Sequence, residues 1–426
     1  MKFVVDVEPE RFDRFAISCP WNHYSKTSPF IELKKPEYSE GHLLGVEDDE
    51  GNLIASAVMI FKKTIVPIGR YAYVQYGFNL DIADHELIRY FAQQLRDYAE
   101  SRGAFDLRMD FNITRIEHNK DGSLKEGGFN HEYVTGILQE CGYTHLGYNY
   151  GYSGNWMSRY TYRLNLDRPF ADVLKGIKRC RIYDTKNRER DVKVRAGRRD
   201  ELHYLVENED LLSQQRGFKP KDIHYFEKFW DLYEPYVHYF IVTTNYHRAK
   251  LNLMKLMEDN TAKAAKMKDP HKIEDLNKQN TALAKEIREL EEGGYDQDEE
   301  KVIGAKFMIM QGVNVWNVNM FTTKTLLNFR AAFALHRYAL EKLYNEGAKT
   351  YDFEGISGSM DPKDPYYGLN DFKKSFGGDF LEFLGEFDAV INQKKYDTWL
   401  KGDRLYRGVR RRMGRIVYKR SESERN

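Results

Sequence analysis

Residues 351–387 read YDFEGISGSMDPKDPYYGLNDFKKSFGGDFLEFLGEF. The stretch opens as a short strand through Tyr351 and Phe353 and breaks at Gly355, Ser357 and Gly358. A polar, proline-containing loop is expected next, and the chain then returns through Phe372-Lys373-Lys374-Ser375-Phe376-Gly377-Gly378. Glycine serves where a chain turns tightly or a ligand approaches the backbone, and lysines beside aromatics suit an anion. The stretch therefore reads as a site at the end of a strand, with the rest of the chain as its scaffold.

Immediately upstream, strands are expected at Val302–Met310 and Asn314–Phe321, followed by a helix at Leu326–Glu346. Further back, Tyr160–Leu166 alternates as a strand and ends at Asp167-Arg168-Pro169. A helix, a very basic run over 175–190, a strand at Val192–Arg195 and a helix from about Asp200 toward Arg216 follow. The first 155 residues carry the same theme. Strands at Leu43–Val46, Leu53–Lys62 and Tyr71–Tyr76 precede a helix over Asp84–Arg102 with Asp84 as N-cap, a buried strand Phe105–Asp110 and a helix His131–Cys141. Two similar α/β halves suggest an internal duplication.

Within the second half, about 246–293, the apolar spacing is the clearest in the chain. Ile273, Leu276, Asn280, Leu283, Ile287 and Leu290 follow a three-four rhythm, and so do Leu253, Met257, Asn260, Ala264 and Met267. Folding the stretch back at Asp269-Pro270-His271 matches Leu253 with Ile287, Met257 with Leu283 and Asn260 with Asn280. The expectation is an antiparallel helical hairpin, a coiled-coil arm with one Asn–Asn layer that fixes register at some cost in stability. Such an arm serves either as a spacer or dimerisation element or as a clamp for an elongated partner. The domain scheme is 1–155; 156–245 with 300–392; the hairpin 246–299; and a basic tail 393–426.

At 426 residues the chain exceeds one ordinary core, and 41 % hydrophobic with 14 % aromatic content suffices for more than one. The 66 basic and 65 acidic residues nearly balance, so any anion-binding surface must be local. Three scattered cysteines, Cys19, Cys141 and Cys180, argue against a disulfide framework and a CxxC metal site and fit a reducing compartment. No signal peptide or apolar span is read, which gives a cytoplasmic expectation.

No phosphate loop, HExxH, GxSxG or GxGxxG motif is present, nor the Q/R-x-x-G-x-G/A turn of coenzyme A acetyltransferases. No histidine pair has convincing metal-ligand spacing, so no metal site is assigned. Cys180 lies among Lys178, Arg179 and Arg181, where a thiol is easily ionised, but no base accompanies it. Two basic clusters remain. One is the 175–190 run, with Lys178, Arg179, Arg181, Lys186 and Arg188, which is either a solvated face or a contact for RNA or phosphate. The other is the tail, where Arg404, Arg407, Arg411 and Arg415 share one helical face suited to anionic lipid or nucleic acid, or to an ordinary basic terminus.

Taken in order, these pieces resemble the FemABX family of aminoacyl-tRNA-dependent peptidyltransferases that build peptidoglycan branches, in its coiled-coil-bearing FemA/FemB form. The resemblance runs through HYSKTSPFIELK (23–34), YGFNLD (76–81), LRMD (107–110), GYTHLG (142–147), SRYTYRLNL (158–166), KRCRIYDTKNR (178–188), the hairpin and YDFEGISG (351–358). The segment 371–387 is its most specific part. It implies an α+β fold of two tandem acetyltransferase-like (GNAT-like) domains, with no cofactor or metal and with aminoacyl-tRNA as co-substrate.

The implied reaction is attack by an amine of a lipid-linked peptidoglycan precursor on the aminoacyl ester, at the inner membrane face. Lys373, after Phe372, matches the family lysine of the electrostatic role, and Lys34 matches the position contacting the precursor diphosphate. Asp81 and Asp110, read as strand ends, either orient the amine or act as cap and turn residues. Lys221 before Tyr225 stands where the family has an arginine, and Gly355 and Gly377 frame the site. The chain departs from the family pattern at Tyr76-Gly77-Phe78, at Asp110-Phe111 and at Met320-Phe321-Thr322-Thr323. A catalytically silent relative that binds precursor, tRNA or a protein is the alternative. A homodimer or a hetero-oligomer with a related transferase stays open.

Overall fold

A computed structural model describes residues 1–64, 67–152, 157–206, 220–295, 297–323, 326–403 and 405, with only the backbone of residues 178, 180 and 181. The expected Arg216-Gly217-Phe218 segment and the basic helix of the tail lie outside the described residues.

The first half contributes β1 (Lys2–Val5), β2 (Glu40–Glu47), β3 (Leu53–Lys63), β4 (Arg70–Val74), β5 (Asn79–Leu80), β6 (Ala104–Thr114) and β7 (Thr144–His145). The second contributes β8 (Tyr160–Asn165), β9 (Lys193–Ala196), β10 (Val237–Asn245), β11 (Glu300–Gln311), β12 (Asn314–Thr322), β13 (Thr350–Asp352) and β14 (Asp379–Val390). They join in one sheet of order β1-β2-β3-β4-β6-β14-β8-β13-β12-β11-β10-β9, with β5 on β3 and β7 on β14.

The two halves repeat one arrangement. Strands β1 to β4 run antiparallel, and β4 then pairs in parallel with β6 across the helix His85–Ser101. Strands β9 to β12 do the same, with β12 parallel to β13 across the helix Ala331–Asn345. β14 joins them: Asp379–Glu382 pair with β8, and Phe383–Val390 pair with β6. Within the β14–β6 pairing the register shifts between Phe383 and Gly385, where Gly385 is left-handed.

β6 shows how the sequence builds this floor. Leu107, Met109, Phe111 and Ile113 enter the first-half core with Phe78, Phe91 and Leu95. The alternate residues Asp106, Arg108, Asp110, Asn112 and Thr114 are buried on the other face, where burial demands partners. Arg108 answers it with a bidentate bond to Asp388 of β14 at 2.6 Å through Nε. The strand extends to Thr114, so Asp110 is a mid-strand residue rather than a strand end.

The insertion forms two helices, Tyr246–Lys266 and Pro270–Glu292, that pack on each other. Asn260 Nδ2 donates to Asn280 Oδ1 at 3.1 Å, and Asn280 Nδ2 donates to Thr261 Oγ1 at 3.0 Å. Leu253, Leu283, Ile287 and Leu290 root the hairpin in the second-half core. Arg190, at the end of the helix Lys178–Glu189, holds it through a buried bidentate pair with Glu286, at 2.7 and 2.8 Å.

Two expectations need correction. The helix expected from Leu326 begins at Ala331, because Leu326 and Arg330 take left-handed backbone conformations. The expected polar loop before Gly377 contains a helix, Tyr367–Lys374, and Lys373 stands on its last turn.

Candidate active site

The helix Tyr367–Lys374 is fixed by aromatics. Phe372 packs on Phe333 and His336 with ring centroids at 5.0 and 5.6 Å, and Phe376 stacks on Phe333 and meets Phe353 at a tilt. Phe372 is thus an anchor in the second-half core. Its neighbour Lys373 turns the other way and donates to the main-chain carbonyls of Glu354 and Gly355, both at 2.8 Å. Two of the three ammonium protons are set by these bonds. Burial pushes Lys373 down to about 8, against the carboxylates of Glu354 and Asp352, which hold it up.

The carbonyls come from the run that continues β13. Asp352 is locked by Arg163 Nε at 2.9 Å, Thr161 Oγ1 at 2.6 Å and the Glu354 amide at 2.7 Å. Glu354 follows in a left-handed conformation, φ +60°, which bulky side chains seldom adopt and which marks a constrained position. At Gly355 a Cβ would fall 2.1 Å from Ser158 Oγ, so only glycine fits, and its carbonyl also accepts from Tyr152 Oη at 2.9 Å. Gly377, φ +75°, turns the chain after the helix against the Gly176 carbonyl, and its own carbonyl accepts from Lys120 Nζ. Both glycines serve close backbone approach.

The Glu354 side chain reaches the first half. Its Oε1 lies 3.5 Å from His23 Nε2. His23 Nδ1 accepts the Ser25 amide at 3.1 Å, which assigns the ring proton to Nε2, facing Glu354. Tyr24, Tyr76 and Trp316 surround the His23 ring at centroid distances of 4.1, 4.3 and 5.2 Å. Burial with the nearby Lys26 and Arg163 keeps this histidine's pKa well down, hence neutral. Burial and Asp352 push Glu354 up to about 8.

Behind Lys373 is a second buried lysine. Lys306 Nζ lies 3.0 Å from His336 Nδ1, which also meets Tyr351 Oη at 2.8 Å. Burial, then the charge of Lys373, push Lys306 well below the usual lysine range. His336 is likewise pushed down by burial and by both lysines.

The other sequence candidates fall in different places. Lys34 is on the first-half surface, paired with Glu37 at 2.7 Å; Glu37 in turn meets Lys62 at 3.5 Å. The buried lysine of that segment is Lys26, whose Nζ donates to Trp21 O and Asn112 Oδ1 at 2.8 Å and to Phe78 O at 3.2 Å. Asp81 is an exposed turn residue that accepts the Ala83 amide. Asp110 is buried and accepts from Tyr73 Oη and from the Tyr76 amide, so it fixes the left-handed Tyr76 that packs on His23. Burial pushes Asp110 up to about 6. Lys221 Nζ lies over the Tyr225 ring at 4.6 Å, at the start of the helix Ile223–Tyr233.

On the basic helix, Arg179 pairs at 3.0 Å with Asp371, two residues before Lys373. Lys186 and Arg188 are exposed. Lys186 lines a groove of about 560 Å³ between this helix and the hairpin, together with Arg190, Glu286 and Arg330. The side chains of Lys178 and Arg181 lie outside the described residues.

Sequence reading missed Glu354, His23, Lys306 and His336. Glu354 alone had a local signal, as an acid immediately before the glycine of a strand-end turn.

A sequence model described as the FemAB family matches residues 7–400. The aminoacyltransferase FemA of Staphylococcus epidermidis (strain RP62A) is 26 % identical over 412 residues, covering 94 % of this chain and 98 % of the relative. The protein of the same name from Staphylococcus aureus (strain bovine RF122) is 24 % identical over 412 residues, 94 % and 97 % of the two chains. The crystal structure of FemX shares the fold, with a TM-score of 0.73 at 20 % identity over 93 % of this chain and 99 % of that one.

Proposed function

The chain belongs to the FemAB family, and from that premise we propose that it is an aminoacyltransferase moving an amino acid from aminoacyl-tRNA to an amine on the stem peptide of a lipid-linked peptidoglycan precursor. The observation that carries this reading is Lys373: a part-buried cation whose ammonium is aimed by two carbonyls and, among the described residues, is not neutralised by a direct ion pair. An aminoacyl ester is already activated, so the catalyst has to place the two partners together and stabilise a tetrahedral oxyanion. A fixed ammonium in a water-poor site supplies that stabilisation, because its field is weakly screened and needs no reorganisation during the reaction.

Arg179, beside the Lys373 helix, and the exposed Lys186 and Arg188 offer positive charge to the tRNA, and Lys34 and Lys62 offer it to precursor phosphate on the first half. No cofactor is required by this chemistry. The protein would act in the cytoplasm, at the inner membrane face where a lipid-linked acceptor is presented. Among the described residues no helix is long and apolar enough to cross a membrane.

The test is a transfer assay with purified protein, a mixed pool of charged tRNAs and the precursor. A precursor mass increase by one or more aminoacyl residues is expected. No increase with any charged tRNA would refute the transferase reading.

A further inference from the structure

Aminolysis of an ester leaves a proton to be moved. When the amine nitrogen bonds to the ester carbonyl carbon, that nitrogen becomes cationic. Unless it loses a proton, the amine is expelled again in preference to the ribose oxygen. Lys373 is a cation with two N–H groups committed to carbonyls, so it is not the acceptor. Asp352 is held by three donors, and Asp110 by Tyr73 and the Tyr76 amide.

Glu354 differs from both. Its carboxylate has the proton-bearing His23 Nε2 at 3.5 Å, and its side chain keeps 25 % of its surface open. Its own carbonyl is one of the two that aim Lys373, so one residue in a constrained left-handed conformation places both the acid and the cation. His23 and Glu354 come from opposite halves, which puts the carboxylate where the two halves meet.

We propose that the Glu354 carboxylate is the general base of the transfer: it takes the proton from the attacking amine nitrogen as the C–N bond forms, and returns it to the ribose oxygen as the ester C–O bond breaks. This rests on the function proposed above. The groups facing Glu354 are Asp352, Lys373, Arg163, His23, Tyr24 and Tyr76. Burial and Asp352 push the carboxyl up to about 8, while Lys373 and Arg163 hold it down. His23 stays neutral, and the two tyrosines are pushed up by burial and stay protonated. A base in this range is matched to an ammonium-like proton near neutral pH. The rate should rise with pH as the acid ionises and fall as Lys373 loses its charge, the two limbs belonging to the pair.

The experiment measures kcat and KM of the full chain with charged tRNA and precursor across pH, for wild type, Glu354→Gln and Glu354→Asp. Glu354→Gln keeps the side-chain shape and is expected to lose about 10²- to 10⁴-fold in kcat, with both KM values little changed and the rising limb gone. Glu354→Asp withdraws the carboxylate by one methylene and is expected to keep the limb with a smaller loss, which decides the matter if the glutamine variant fails to fold. Wild-type kcat in Glu354→Gln, an intact rising limb in it, or no limb in an active Glu354→Asp would overturn the proposal. These outcomes presuppose transfer by wild type, whose absence would instead defeat the function proposed above.

Discussion

Replacing Lys373 by methionine removes one charge and one aimed donor while keeping an unbranched apolar stem one atom shorter. Because two of the three N–H bonds run to the carbonyls of Glu354 and Gly355, one N–H at most meets the developing oxyanion. Loss of a single oxyanion donor costs about 2.7–4 kcal/mol, or about 10²- to 10³-fold in kcat. Coulomb attraction at about 3 Å with an effective dielectric of about 20 sets an upper bound near 5 kcal/mol, since the ground-state carbonyl already takes part of it. The fold should survive. The Gly355 carbonyl keeps Tyr152 as a donor, so one carbonyl is orphaned, at about 1–3 kcal/mol, and relief from burying a cation offsets part of that.

The assay is steady-state transfer with saturating charged tRNA and precursor, alongside thermal melts. Lys373 is pushed down to about 8 by burial, so its charge is present below that value and lost above it. Wild type should therefore lose rate above about pH 8, and the methionine variant should show a residual rate without that falling limb. A variant kcat within tenfold of wild type, or a loss confined to KM, would refute the assignment of Lys373 to oxyanion stabilisation.

The cradle and the arm give two further tests. Gly355→Ala should abolish transfer in a protein that still folds, because the new methyl meets Ser158 Oγ and Cβ at 2.1 and 2.5 Å; adding Ser158→Gly should recover a large part of the rate in the same assay. Glu286→Gln should leave the buried Arg190 guanidinium with Glu189, at 3.1 Å, as its remaining acidic partner and cost about 1–3 kcal/mol in denaturant unfolding, and a change below about 0.5 kcal/mol would mean that the hairpin root does not depend on this pair.

Much of the fold was legible where one face is apolar and local signals agree. The helix His85–Ser101 combines an apolar stripe with the Asp84 N-cap, which accepts the Leu87 amide. The hairpin combines its stripe with an Asn–Asn match that survives as a hydrogen bond. The eight-residue helix Tyr367–Lys374 was not legible. Prolines precede it, Gly368 lies inside it, and tertiary aromatics rather than propensity hold it in place. The split pairing of β14, its first four residues with β8 and the rest with β6, leaves no trace in a single strand's pattern. The same limit hid most of the site. Lys373 could be found because glycines and aromatics adjoin it, whereas His23 and Glu354 stand 331 residues apart and acquire meaning only when the halves meet. Lys26 and Lys34 occupy one short segment, and nothing local says which of them is buried.

The use of main-chain carbonyls to hold Lys373 has a physical logic that links these parts. A carboxylate bonded directly to the ammonium would aim it as well, but would cancel the field that an oxyanion has to feel. Carbonyl dipoles fix direction with a weaker counter-field. The acids close enough to neutralise Lys373 are restrained in other ways: Asp352 is bound to Arg163, and Glu354 directs its carboxylate toward His23. Below, Lys306 lies against His336 in a fully buried site that pushes its pKa well below the usual lysine range, so it adds hydrogen bonding to the cluster while being a weaker competitor to the charge of Lys373. The basic residues proposed above for attraction at long range, Arg179, Lys186 and Arg188, stay at the surface, where salt screens them. On the proposed function, long-range steering and short-range stabilisation fall to different residues, and the chemistry is left with one aimed cation beside one carboxylate.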